Sequence, residues 1–132
     1  MKKYLIIAFA ALSVGLMSAG ILNEPANEAE LGELLFSDPI LSKDSTISCA
    51  SCHIPAYAFA DTSATSKGVG GVNGHRNTPS AMNVVVHDFF FWDGRAKTLE
   101  EQALAPIENP KEMNIPLDVV LDRLRKSKTY SA

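Results

Sequence analysis

The chain has 132 residues, with 12 Lys and Arg against 15 Asp and Glu, and a net charge of −3. Residues 1–20 contain two of the lysines and no acidic residue, so the rest of the chain has 10 basic against 15 acidic residues and a net charge of −5. Basic residues gather only at positions 123–128, near the end of a predicted helix, where cations complement the helix dipole. This distribution argues against nucleic acid as a partner.

Residues 1–20 have the pattern of a secretory signal peptide. Lys2 and Lys3 precede a mainly apolar run from Tyr4 to Met17, and the small residues at 18–20 offer a cleavage site. A retained membrane anchor is the alternative, but the run is shorter than the about 20 residues that a spanning helix needs. We predict export to the periplasm and one mature domain over residues 21–132.

The rest of the chain predicts an all-α fold with long irregular loops. A short helix over 27–36 should end at Ser37-Asp38-Pro39, and Thr98 with Glu101 forms the capping box of a second helix that Pro106 should stop. Pro116 should begin a last helix with an apolar stripe. The stripe consists of Leu117, Val120, Leu121 and Leu124.

Two segments between these helices are irregular. Residues 61–83 are rich in Gly, Ser and Thr, and a loop of that length in a compact domain is usually functional or disordered. Residues 84–86 (VVV) and 89–92 (FFFW) are dense enough in apolar side chains to predict burial.

Residues 49–53 read CASCH, a C-x-x-C-H haem c attachment motif. On one helical turn, the thiols of Cys49 and Cys52 can reach the two vinyl groups of one porphyrin, and His53 can then bind the iron. A zinc site would need further ligands at suitable spacing, a thioredoxin-like pair would need a βαβ setting, and a simple disulfide would leave the histidine unexplained. We therefore predict one covalent haem c, whose macrocycle adds apolar contacts to a small domain.

The sixth coordination position decides what such a haem does. With a second protein ligand it carries electrons, and with an open face it can activate a small molecule. By residue type the candidate ligands are Met82, Met113, His75 and His87. Peroxide chemistry needs a proton acceptor and a hydrogen-bonding group, and Glu112 and Gln102 are suitable. Residue types alone leave carrier and catalyst open.

A series of motifs then resembles a known family. In chain order these are LGELLF (31–36), CASCH (49–53), GVGG (68–71), RNTP (76–79), FWDGRA (91–96), LEEQA (99–103), PIENP (106–110) and EM (112–113). Together they resemble the N-terminal haem domain of bacterial di-haem cytochrome c peroxidases and of the related methylamine-utilisation (MauG-like) enzymes, which modify tryptophan.

This resemblance implies roles for individual residues. His53 resembles the proximal iron ligand, Glu112 the acid/base and Gln102 the residue that positions peroxide. Trp92 resembles an aromatic relay to a second haem, although a core aromatic is the alternative. Asn77 resembles a ligand of a calcium ion between two domains. On this view Met113 neighbours the catalytic glutamate and is not an iron ligand.

The same resemblance implies reduction of hydrogen peroxide with electrons from a small periplasmic cytochrome c or copper protein, and a homodimer is a further expectation. Two departures from the family pattern matter. Val69 stands where many members have a histidine that caps the oxidised iron, so we expect high-spin haem without reductive activation unless His75 takes that place. The family's second haem domain is missing from these 132 residues, so we expect a fragment.

Two other functions stay open. A monohaem electron carrier would use His53 and Met113 as axial ligands. A MauG-like enzyme would oxidise a protein substrate.

Overall fold

The computed structural model describes residues 25–131, so the predicted signal peptide lies outside the described residues. Four α-helices follow one another: α1 (Glu28–Ser37), α2 (Cys49–Cys52), α3 (Leu99–Glu108) and α4 (Leu117–Lys126). Four short 3₁₀ turns lie between them, at Pro39–Leu41, Pro55–Tyr57, Val69–Gly71 and Val84–Val86. Over residues 25–131 the only β-structure is three isolated bridges, which confirms the all-α class. Within the same range no helix is long and apolar enough to cross a membrane.

α1 begins and ends where the sequence predicts. The Asn27 side chain accepts a hydrogen bond from the Glu30 N–H at 3.0 Å, and the Glu30 carboxylate accepts one from the Ala26 N–H at 2.8 Å. At the other end, Asp38 stops the helix and its Oδ1 accepts from the Ile40 N–H at 2.9 Å, which starts the next turn. A side-chain cap thus sets the start of α1, while at its end the Asp38 N–H bonds to the carbonyl oxygens of Leu34 and Leu35.

α3 begins as predicted but does not end there. Thr98 Oγ1 accepts from the Glu101 N–H at 3.2 Å, as a capping residue should. The predicted stop at Pro106 is wrong, because the helix continues to Glu108. Pro106 lacks only its own N–H, and its carbonyl accepts from the Met113 N–H at 3.1 Å. That tertiary bond helps to hold the last turn in place.

The core lies between α3, α4 and the turn after α1. Its buried side chains are Leu41, Ile107, Met113, Ile115 and Val120. In α4, Leu117 and Leu124 pack against this core, but Leu121 is 50% exposed and lies outside it. The predicted apolar stripe of α4 therefore wrongly includes Leu121.

Arg123 ties α4 to the segment that leads into α2. Its guanidinium donates to the carbonyl oxygens of Ser42 at 2.6 Å and Lys43 at 2.8 Å, and more weakly to Ile40 at 3.3 Å. The Lys43 N–H in turn donates to the Met113 carbonyl at 2.9 Å. The helical core thereby positions the chain just before the C-x-x-C-H motif.

The predicted burial of the two apolar segments is wrong. Val85, Val86, Phe89 and Trp92 are 75%, 78%, 60% and 88% exposed. Residues 83–96 form local turns, with a left-handed Phe91 and an isolated bridge between Phe90 and Ala96. Of the segment, only Ala96 is buried, because the turns close on themselves and direct the larger side chains outward.

Candidate haem-binding and peroxidatic site

The short helix α2 presents the two cysteines on one turn. Cys49 and Cys52 are three residues apart, so their side chains share a face, and both are free thiols. Cys49 also packs against the core. Burial raises the pKa of both thiols. A redox-active pair needs a lowered thiol pKa, so these thiols are unlike a thioredoxin-type pair.

The backbone orients His53 for metal binding. Its Nδ1 lies 2.9 Å from the carbonyl oxygen of Phe59. A carbonyl can only accept, so Nδ1 carries the proton and Nε2 keeps a lone pair that can bind iron. Ala58 and Phe59, at this carbonyl, both adopt left-handed conformations, with φ of 55° and 58°. Such a conformation costs about 1–2 kcal/mol per residue, so the turn that bonds to the histidine holds backbone strain.

These groups fit a covalent haem c. Two thiols that can attach to the porphyrin and a free imidazole nitrogen that can bind the iron are the groups that the C-x-x-C-H motif supplies. The Phe36 ring lies 6.2 Å from the His53 ring and 6.1 Å from the Phe59 ring, between centroids. Phe36 and Phe59 also line a shallow, mainly apolar depression with Ala81 and Met82, which suits the flank of an apolar macrocycle.

Glu112 lies within electrostatic reach of the motif. Glu112 as a whole residue is exposed. Neighbouring protein atoms nevertheless displace water from its carboxyl group, and this desolvation raises the pKa of Glu112. A hydrogen bond from Asn109 and the positive charge of Arg95 oppose that rise. Conversely, the Glu112 charge helps to raise the pKa of Cys52. The structure thus brings together the predicted acid/base, the iron ligand and an attachment cysteine.

The loop over residues 61–83, called the glycine-rich loop below, connects these groups. The Cys52 sulfur lies 4.0 Å from the Lys67 carbonyl oxygen, and the Val69 N–H donates to the Glu112 carbonyl at 2.9 Å. Between them, Gly68 is so close to the Glu112 segment that an added Cβ would lie 2.2 Å from the Lys111 carbonyl oxygen. The sequence predicts that this loop is functional or disordered, and it marks Gly68 as part of the glycine cluster without a role of its own.

Gln102 and Trp92 are placed differently. Gln102 is half-buried on α3, and within residues 25–131 its side-chain amide forms no hydrogen bond. Trp92 is 88% exposed, so the alternative of a core aromatic is wrong. The peroxide-positioning role of Gln102 and the relay role of Trp92 stay predictions. Beside Trp92, Arg95 pairs with Asp93 at 2.8 Å and covers the Phe91 ring at 3.5 Å.

Asn77 braces the polar part of the loop. Its Nδ2 donates to the carbonyl oxygens of Asp61 at 3.0 Å and Ser63 at 2.6 Å. The Asp61 carboxylate accepts from the Ser63 N–H and the Ser66 hydroxyl, which holds the pKa of Asp61 below its usual value. Across the described part of the chain no cluster of three or more His, Cys, Asp or Glu could hold a metal ion. A calcium role for Asn77 stays a prediction.

The candidate sixth ligands lie elsewhere. Met113 is 4% exposed and packs in the core with Ile107 and Ile115, so its sulfur serves packing. The His75 ring hydrogen-bonds to the Lys111 ammonium at the edge of the glycine-rich loop. Met82 is 52% exposed and His87 is exposed. The electron-carrier hypothesis needs the Met113 sulfur at the iron, whereas in this structure Met113 is a core side chain.

Comparison with known proteins gives consistent results. Among curated relatives, the cytochrome c551 peroxidase of Nitrosomonas europaea is 44% identical over 85% of this chain and 38% of its own length. The methylamine utilization protein MauG of Methylorubrum extorquens is 43% identical over 76% of this chain and 29% of its own length. This chain therefore spans 38% of the length of the first relative and 29% of the length of the second.

A solved structure agrees with the fold. The diheme peroxidase BthA from Burkholderia thailandensis matches with a TM-score of 0.69 and 30% identity, over 78% of this chain and 30% of that chain. A family model described as di-haem cytochrome c peroxidase matches residues 26–132. The chain belongs to the di-haem cytochrome c peroxidase and MauG family of haem oxidoreductases.

Proposed function

We propose that this chain provides the peroxide-reducing site of a di-haem cytochrome c peroxidase. Cys49 and Cys52 would attach haem c, and His53 would bind its iron. The observation that carries the proposal is the glycine-rich loop, which contacts both Cys52 and the Glu112 segment and so brings a carboxyl of raised pKa to the haem-attachment turn. Hydrogen peroxide takes up two electrons and two protons and leaves as two water molecules.

The bound haem supplies an iron that binds peroxide and exchanges electrons with it. Glu112 takes the proton from the near peroxide oxygen and returns it to the far one, which makes that oxygen leave as water. A raised pKa suits this role, because a group that both accepts and gives a proton works best when its pKa is near the operating pH. Gln102 holds the peroxide through its side-chain amide.

Electrons reach the site from a small periplasmic cytochrome c or copper protein through a second haem. Trp92 is the proposed relay, and its 88% exposure suits a side chain that meets another domain or protein. Periplasmic location, cleavage of the signal peptide and a calcium ion at Asn77 belong to the same proposal.

The decisive variant is Glu112→Gln in the haem-loaded protein, expressed with haem-maturation machinery. We expect peroxide cleavage in stopped-flow absorption to slow by about 10² to 10⁴. Glu108→Gln is the matched control, because Glu108 is an exposed carboxylate at the end of α3. An unchanged rate in Glu112→Gln would end the assignment.

Spectra of the oxidised protein test the open face. Val69 cannot bind iron and its N–H is bonded to the Glu112 carbonyl, so we expect a high-spin ferric spectrum that cyanide converts to low-spin without prior reduction. A low-spin spectrum insensitive to cyanide would favour the electron carrier.

A second candidate is oxidation of a protein substrate by the same site. It is favoured by the 43% identity to a methylamine utilization protein and by the exposed Trp92. Turnover with peroxide and reduced cytochrome c supports the peroxidase. Absence of such turnover in a protein that still reacts with peroxide supports the second candidate.

A further inference from the structure

The residue that holds the Glu112 carboxylate is Asn109, which directly follows α3. Its Nδ2 donates to Glu112 Oε1 at 2.6 Å. No other hydrogen bond to this carboxylate forms within residues 25–131. We infer that Asn109 is a positioning residue that occupies one carboxylate oxygen and leaves Oε2 to carry the transferred proton, an inference that rests on the proposed role of Glu112.

Hydrogen bonds fix both the backbone and the side chain of Asn109. Its N–H donates to the Ala105 carbonyl at 3.1 Å, and its carbonyl accepts from the N–H groups of Glu112 at 2.9 Å and Asn114 at 3.0 Å. Its side-chain Oδ1 accepts from the Lys111 N–H at 3.0 Å. Because Oδ1 is committed to an N–H, the amide has one orientation, and Nδ2 must face the carboxylate. A flipped amide would set two oxygens against each other.

This arrangement has a chemical consequence. An amide nitrogen is a permanent donor, so Oε1 stays an acceptor and the proton of the neutral acid resides on Oε2. The hydrogen bond also favours the charged form and lowers the pKa of Glu112 against the effect of desolvation. Arg95 is the charged group that acts in the same direction, while the Lys111 ammonium is engaged with His75.

The two ends of the Asn109 side chain allow the roles to be separated. Asn109→Asp keeps an oxygen that can accept from the Lys111 N–H but replaces the Nδ2 donor by an acceptor beside Glu112. Local structure should therefore survive while the carboxylate loses its donor and gains a like charge. Asn27→Asp is the matched control, because Asn27 is exposed, lies outside the glycine-rich loop, and can be replaced by aspartate without loss of the α1 cap.

The test measures fluoride binding to the ferric haem-loaded protein by absorption as a function of pH. Fluoride binds with uptake of a proton by a nearby base, so the pH at which affinity falls reports the protonation of Glu112. We expect Asn109→Asp to raise that midpoint by about one pH unit or more, through the lost donor and the added like charge. The control should leave the midpoint in place.

Each outcome decides between the two proposals. If Glu112→Gln leaves the pH dependence intact, the proposed role of Glu112 fails. If Glu112→Gln abolishes it but Asn109→Asp leaves the midpoint unchanged, only the positioning role is overturned. Should Asn109→Asp fail to fold, Asn109→Ser serves instead, since a hydroxyl can still accept from the Lys111 N–H. A smaller upward shift is then expected, and an unshifted midpoint refutes the inference.

Discussion

The helical core and the irregular segment over residues 61–96 are held together by different forces. The core buries Met113, Ile115 and Val120 to 4% exposure or less. In the irregular segment, Asn77, Asp61 and the glycine-rich loop form hydrogen bonds, while large apolar side chains point outward. The core thus stabilises the domain, and the irregular segment presents chemistry and apolar surface. The site lies where the two regions meet, at Glu112.

The largest stability difference is expected between a core methionine and an exposed valine. Met113→Ala should lower the free energy of unfolding by about 2–5 kcal/mol, because it leaves a cavity among Ile107 and Ile115. Val85→Ala should change it by no more than about 0.5 kcal/mol, because Val85 is 75% exposed. Chemical denaturation of the haem-loaded protein measures both.

The spectrum of Met113→Ala supplies an independent check. Since Met113 packs in the core, the ferric spectrum of the folded variant should match that of the parent. Loss of a low-spin spectrum in this variant would show that the sulfur binds iron. Equal losses of stability in Met113→Ala and Val85→Ala would contradict the view that the core, and not the irregular segment, stabilises the domain.

The contact between the irregular segment and the Glu112 segment should be disrupted by a side chain at Gly68. Gly68→Ala would place Cβ against the backbone of Lys111 and Glu112, and such overpacking destabilises by about 1–3 kcal/mol. It should also slow the reaction with peroxide, because the Glu112 segment must move. Val72→Ala is the control, since Val72 is 45% exposed in the same loop and its truncation should change the free energy of unfolding by no more than about 0.5 kcal/mol. A Gly68→Ala variant with parental stability and rate would show that the loop contact is not tight.

The smallest effect is expected at the chain's last described turn, where Tyr130 donates to Asp38 Oδ2 at 2.8 Å. Burial and the Asp38 hydrogen bond raise the pKa of Tyr130 to about 12. A pKa raised on folding means that the stabilisation is present below the pKa of the unfolded tyrosine, about 10, and is lost as pH rises through about 12.

Tyr130→Phe should therefore be less stable than the parent near neutral pH, and the difference should shrink between pH 10 and 12. Denaturation curves across that range measure it, with Tyr57→Phe as the control because Tyr57 is 56% exposed. A difference that stays constant with pH would contradict the titration of Tyr130.

Local interactions made much of the molecule predictable from sequence. Thr98 caps α3, Asp38 ends α1, and the C-x-x-C-H spacing places both cysteines on one turn, because each effect involves residues only a few positions apart. Residue type alone made Glu112 one suitable proton acceptor, and the resemblance to the family assigned it the acid/base role.

The tertiary structure decided what depends on distant contacts. α3 continues through Pro106 to Glu108, where the Asn109 N–H bonds to the Ala105 carbonyl, and Trp92 is exposed because residues 83–96 close on themselves. The Glu112 segment lies against the glycine-rich loop because Gly68 has no side chain to keep it away. Short-range capping and spacing can be read from neighbouring residues, whereas burial and the approach of separate segments depend on how the whole chain packs.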